Sequence, residues 1–143
     1  MNKLRFLLLA VVIGIFANQA VVIAAEPEGA TWTLTELLGK PLAGSAKTRG
    51  TPTLQLDAAK KSASGHTGVN RFFGSYEKSG EKLKFGALGS TEMGGPPEAM
   101  KLESSFLGML GSVRRWQVAD GVLTLLSEGQ VVARFAVLAA AEK

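Results

Sequence analysis

The sequence predicts a small, mainly β domain with one helix. Three observations lead there. From Thr31 onward apolar and polar residues alternate in short runs, which is the period of a half-buried strand. Gly, Pro, Asp and Asn punctuate those runs at close intervals, as turns require. The stretch after Pro96-Pro97 changes to a period near 3.6, with Ala99, Leu102, Phe106, Leu110 and Val113 on one stripe.

The chain opens on a leader. Met1-Asn2-Lys3-Leu4-Arg5 is a basic head, Phe6 to Ala17 is an apolar run, and Ile23-Ala24-Ala25 suits signal-peptidase cleavage before Glu26. An uncleaved anchor is the competing reading, because Phe6 to Ala25 reaches the roughly 20 residues that span a bilayer. Asn18-Gln19 interrupts the run and favours cleavage. The expected organisation is a signal peptide over 1–25, a flexible lead-in over 26–30, one domain over 31–139 and a tail over 140–143. Removing 25 of 143 residues takes Lys3 and Arg5 away and lowers the net charge from +4 to +2. What remains is long enough for one core.

The strands follow in order. Trp32 and Leu34 alternate with Thr31, Thr33 and Thr35; Gly39-Lys40-Pro41 and the glycine-bounded stretch from Gly44 to Gly50 then form a loop. Thr53 to Asp57 is the second strand and Ser62 to His66 the third. Phe72 to Tyr76 and Lys82 to Phe85 flank a Glu77 to Glu81 connection and read as a hairpin, with Leu83 and Phe85 inward and Lys82 and Lys84 in water. Arg115 to Val118, Val122 to Leu126 and Val131 to Val137 form a meander broken by Asp120-Gly121 and Glu128-Gly129-Gln130. In the helix, Gly108 and Gly111 each cost about 1 kcal/mol relative to Ala, which implies close packing on the sheet or an early end. About eight strands and one amphipathic helix imply a curved antiparallel sheet or half-open barrel with the helix on its concave face, since closure hides strand edges. The expected core is Trp32, Leu34, Phe85, Phe106, Leu110, Trp116 and Phe135.

Conventional reaction chemistry is sparse. His66 is the one histidine and there is no cysteine, so neither a zinc ligand set nor a thiol nucleophile is available, and no disulfide or lipid-modified cysteine can form. No Gly-x-Ser-x-Gly elbow is present, Glu98 and Glu103 are five apart and point to different sides of the helix, and Gly65, Gly68 and Gly74 are followed by strand-like sequence and not by a helix N-terminus. Lys60-Lys61 and Arg114-Arg115 are the adjacent basic pairs outside the leader, too few for a nucleic-acid groove. The expectation is a protein that is not an enzyme and uses no cofactor or metal.

Four segments carry a family resemblance: Trp32-x-Leu34, the run Gly68-Val69-Asn70-Arg71-Phe72-Phe73-Gly74-Ser75-Tyr76, Ser90-Thr91-Glu92-Met93, and Met100-x-x-Glu103-x-x-Phe106-x-x-x-Leu110. Together they resemble the META domain, the family of the heat-inducible bacterial protein HslJ, from about Thr31 to Val137. The resemblance implies the same curved architecture, a heat-inducible envelope role and a link to antibiotic tolerance. It also implies cysteines where this chain has Val69 and Gly95, and their joint loss suggests that they form a pair.

Within the motif, Gly68-Val69-Asn70 reads as a tight turn, because Asn tolerates positive φ and bonds nearby backbone. Arg71 is expected to place its guanidinium beneath the helix and to meet Glu103 directly or through one shared polar neighbour, because that carboxylate lies close enough to the apolar stripe to need a partner. Thr91 is expected to cap the segment entering the helix, beside Met93. Asn70, Arg71, Thr91, Met93 and Glu103 thus form either a structural network or a binding cluster. The functional expectation is a soluble periplasmic monomer, without a membrane anchor after cleavage, that binds a protein or peptide partner in the groove between helix and sheet. The alternative is a lipocalin-like carrier of a small apolar ligand.

Overall fold

The computed structural model describes residues 25–42 and 50–137, so the expected leader up to residue 24, most of the Gly44 to Gly50 loop and the tail lie outside the described residues. Among the described residues are nine strands and one helix: β1 Thr31–Leu37, β2 Lys40–Pro41, β3 Thr53–Asp57, β4 Ser62–His66, β5 Arg71–Ser79, β6 Lys82–Ser90, α1 Pro97–Ser112, β7 Arg115–Ala119, β8 Val122–Ser127 and β9 Gln130–Val137. Lys40-Pro41, expected as loop, adds a short strand paired to the end of β1.

Two-residue turns set the register. Leu38-Gly39, Asp120-Gly121 and Glu128-Gly129 all have positive φ at both positions, the pattern whose backbone twist matches the flanking strands. Gly80 has φ +57° in the β5–β6 turn. That hairpin closes at Gly80-Glu81, so the strands run through Glu77 to Ser79, which the sequence had suggested as connection. Ladder hydrogen bonds and Lys78 facing the rim give those residues partners that charge content alone did not reveal.

All neighbouring strands are antiparallel, in the order β2-β1-β3-β4-β5-β6-β7-β8-β9, and β1 also pairs β9. The sheet therefore curves into a ring. Its narrowest join is β6 to β7, where Lys82 opposite Arg115 is the registered pair and the Leu83 and Trp116 amides add bonds to the Arg114 and Glu81 carbonyls. The chain between these two strands makes α1, which packs against β6 and fills the inside of the curve.

Alternation decides which side chains fill it. Trp32, Leu34, Leu54, Leu56, Phe72, Leu83, Phe85, Leu123, Leu125 and Phe135 point inward, and α1 contributes Phe106, Met109 and Leu110. Phe106 lies edge-to-face between Phe72 and Phe135, with centroids 5.5 and 6.3 Å apart. Gly65 opposes Phe72 across the sheet, and a Cβ there would stand 2.8 Å from the Phe72 ring. Trp116 departs from the expected core: it is half-buried at its margin, with its indole N–H on the Gly80 carbonyl at 2.9 Å. Gly108 and Gly111 mark neither a helix end nor close packing, for α1 runs through both and no atom lies near either missing Cβ. Pro97 occupies the first helical position, where its missing N–H costs nothing.

Candidate functional site

The motif residues gather where the β4–β5 turn meets the segment that leads from β6 into α1. Gly68 takes φ +97°, and each amide of the turn finds a local acceptor. Thr67 N–H bonds the Asn70 carbonyl at 2.8 Å, Gly68 N–H bonds His66 Nδ1 at 2.9 Å, and the Val69 and Asn70 amides bond Thr67 Oγ1 at 3.2 and 2.9 Å. A threonine bonding amides two and three residues ahead is a local alternative to ladder pairing. It turns the chain and starts β5.

Asn70, 1 % exposed, is the hub. Its Nδ2 donates to Glu103 Oε2 at 2.8 Å and to the Met93 carbonyl at 3.0 Å; its Oδ1 accepts from Met93 N–H at 2.7 Å and from Thr91 Oγ1 at 3.0 Å. Two donors and two acceptor sites are the whole capacity of a side-chain amide, so Asn70 has none left for a ligand. Glu103 is 9 % exposed and accepts a second bond, at 2.5 Å, from the Thr67 hydroxyl. Among the described residues every buried polar side-chain atom has a partner.

Two sequence expectations change here. Arg71 is exposed and does not pair with Glu103; only its backbone joins, the amide on Thr91 Oγ1 at 3.1 Å and the carbonyl accepting from Thr91 N–H at 3.0 Å. The alternation of β5 explains this, because Phe72 points inward and so Arg71 must point outward. Thr91 does not cap α1, whose N-cap is Pro96 without a side-chain bond; it braces Asn70 instead. Met93 contributes its backbone, while its side chain is 55 % exposed. The site residues missed in the sequence are Thr67 and His66. The Thr-Gly-x-Asn pattern with a histidine before it was the available signal.

A second polar cluster lies on the rim. Lys78 forms ion pairs with Glu26 and, at 3.3 Å, with Glu28, and its ammonium stands 5.1 Å from the centre of the Trp116 ring. Burial pulls the Lys78 ammonium down, but its bonds to Glu26 and Glu28 outweigh that and raise it. The Tyr76 hydroxyl is pushed up to about 12, first by burial and then by the bond it donates to Glu28 at 3.1 Å. Pro27 is buried and its carbonyl accepts the Trp32 indole N–H at 2.7 Å, while Gly29 N–H reaches the Leu56 carbonyl at 3.2 Å. Residues 26–30, expected as a flexible lead-in, are thus strapped to the sheet.

Among the described residues no group of three or more His, Asp or Glu is placed to hold a metal ion, and no helix is long and apolar enough to cross a membrane. An open depression of about 650 Å3 lies outside the ring, lined by residues including Glu28, Thr31, Gln55, Asp57, Ser62 and Ser64.

Comparison with known proteins agrees with this architecture. No curated protein matches the chain. A protein from Burkholderia xenovorans, solved by NMR, is 27 % identical with a TM-score of 0.65, covering 80 % of this chain and 85 % of that one. A crystal structure of a DUF4847 family protein from Bacteroides vulgatus ATCC 8482 shares the fold at 16 % identity and a TM-score of 0.56, over 77 % of this chain and 93 % of that one. A family model described as the META domain matches residues 25–138, most of the chain and every motif segment named above. The chain belongs to the META domain family.

Proposed function

We propose that this protein is an exported, non-enzymatic envelope protein of the periplasm, associated with stress or antibiotic tolerance, and that it acts by binding a protein or peptide partner on its outer surface. The observation that carries the binding mode is the filled interior. Phe72, Phe106, Leu110 and Phe135 are at most 1 % exposed and occupy the space that an apolar cargo would need. A carrier requires a cavity of about 300–1,000 Å3 lined largely by apolar side chains, and the open depression outside the ring sets the charged Glu28, Asp57 and Lys60 among its apolar lining. The same packing fills the groove between helix and sheet, so a peptide must engage another face.

Export and binding are tested together by expressing the whole chain, fractionating the cells, and taking intact and native masses. The expected result is a periplasmic species beginning at Glu26, free of small apolar ligands, that retains a polypeptide. A membrane-bound species keeping Phe6 to Ala17 sinks the export reading, and a co-purifying small apolar molecule sinks the binding mode in favour of the carrier.

A further inference from the structure

Residues opposite one another in an antiparallel sheet project from the same face. The registers Thr31 with Gln55, Gln55 with Ser64, Ser64 with Phe73 and Phe73 with Gly89 therefore place one row across the outside of β1, β3, β4, β5 and β6. Phe73 is 57 % exposed. Its ring lies over Gly89, where an added Cβ would meet Cε2 at 2.7 Å and Cζ at 3.0 Å, and more than half of the residue faces solvent. Beside it the row drops to small hydroxyl and amide side chains, which border the depression of about 650 Å3. From Phe73 to Thr31 the row crosses three interstrand spacings, about 14 Å.

We propose that this face binds a neutral saccharide, with Phe73 stacked on the apolar C–H face of one sugar ring and Gln55, Ser64, Asp57 and Thr31 bonding hydroxyls of the next. The chemistry of the lining selects this class. A protein partner needs several buried aromatic or aliphatic anchors at the centre of its footprint, and this row offers a single aromatic among hydroxyls. An apolar ligand would cover Glu28, Asp57, Ser62 and Ser64 of the lining without bonding them. An anion is disfavoured because Glu28 and Asp57 line the depression against Lys60 alone among cations. A sugar ring, apolar on its faces and ringed by hydroxyls, matches an apolar aromatic ring flanked by polar groups. This ligand is separate from the partner proposed above, and either can fail without the other.

The test is an NMR titration of the leader-free chain with N-acetylglucosamine tetramer and, separately, maltotetraose. Saturable shifts confined to amides around Phe73, Ser64 and Gln55 are expected with at least one of them. Phe73→Ala should weaken binding about tenfold or more with an unchanged melting temperature, as loss of an anchoring aromatic does, and Phe73→Tyr should restore it. Leu38→Ala, which removes another exposed apolar side chain at the far end of β1, should bind as wild type. If Phe73→Ala melts early, Gln55→Ala on the same row carries the test, and its binding should also weaken. Shifts absent with both sugars at about 10 mM, or mapping to α1 and β7, or unaltered affinity in Phe73→Ala, would overturn the proposal.

Discussion

The cluster around Asn70 and the cluster around Lys78 each tie together segments far apart in sequence, yet they work in opposite surroundings. At Asn70 the central groups, Thr67, Asn70 and Glu103, are buried and, apart from Glu103, uncharged, and each bond is directional. At Lys78 the groups are charged and sit at the surface, with Glu26 56 % exposed. A buried polar atom that loses its partner bears the full desolvation penalty, about 1–3 kcal/mol, whereas exposed ion pairs contribute about 0–1 kcal/mol and weaken with salt. The buried amide should therefore outweigh the charged cluster, although the latter contains more formal charge.

The largest expected effect pins the Asn70 region covalently. An ideal Cβ on Gly95 stands 3.2 Å from both Cγ atoms of Val69, which brings the two Cβ positions to about 4 Å, the spacing of a disulfide. Val69→Cys with Gly95→Cys should oxidise on export and stabilise the domain by about 3–4 kcal/mol in the chain-entropy model. Mass spectrometry and denaturation with and without reductant check this; free thiols under oxidising conditions would show that the two segments are not held together as described.

Next comes the hub itself. Asn70→Ala strips Glu103 Oε2 of its amide donor and leaves both backbone groups of Met93 unpaired, a loss of about 3 kcal/mol. Arg71→Ala should change stability by less than about 0.5 kcal/mol, as exposed positions do. Urea denaturation of the two variants decides between the amide hub and an Arg71–Glu103 pair: equal losses would restore the ion-pair reading.

The smallest effects belong to the rim. Lys78→Ala should cost about 1 kcal/mol or less, and about 1 M NaCl should erase most of the difference from wild type while leaving the Asn70→Ala loss intact. The pH dependence has a definite sign. Tyr76 is raised from its ordinary 10.0 to about 12, so its contribution is present below pH 10 and is lost as pH climbs towards 12. Lys78, also raised, loses its contribution in the same direction. Tyr76→Phe should accordingly flatten the alkaline fall in stability between about pH 9 and 12; an unchanged slope would remove Tyr76 from the cluster.

These clusters also mark where sequence reading succeeded and where it stopped. Alternation located Thr53 to Asp57 to the residue, because that strand hides one face and every second side chain reports it; Ser62 to His66 also matched, although there only Ala63 is buried. The position of Asn70 in a turn followed from its short amide and the neighbouring glycine. Its partners did not, since Met93 and Glu103 are 23 and 33 residues away, and nothing local encodes which carbonyl or carboxylate arrives. Arg71 shows the limit most directly: a formal charge suggested a partner for Glu103, but the β5 pleat turns that side chain to solvent.

Period and turn chemistry, acting over two to four residues, determined most of the strands, the helix and most of the core by themselves, and the four motif segments carried the family. Tertiary structure alone decided the ring closure through β1 and β9, the saturation of Asn70 by Glu103, Thr91 and the Met93 backbone, the strapping of residues 26–30 by Lys78, and the outward row ending at Phe73 and Gly89. The physical reason is range. Side-chain alternation is fixed by the backbone of a single strand, whereas burial, hydrogen-bond partners and shared faces exist only once distant strands have settled into register.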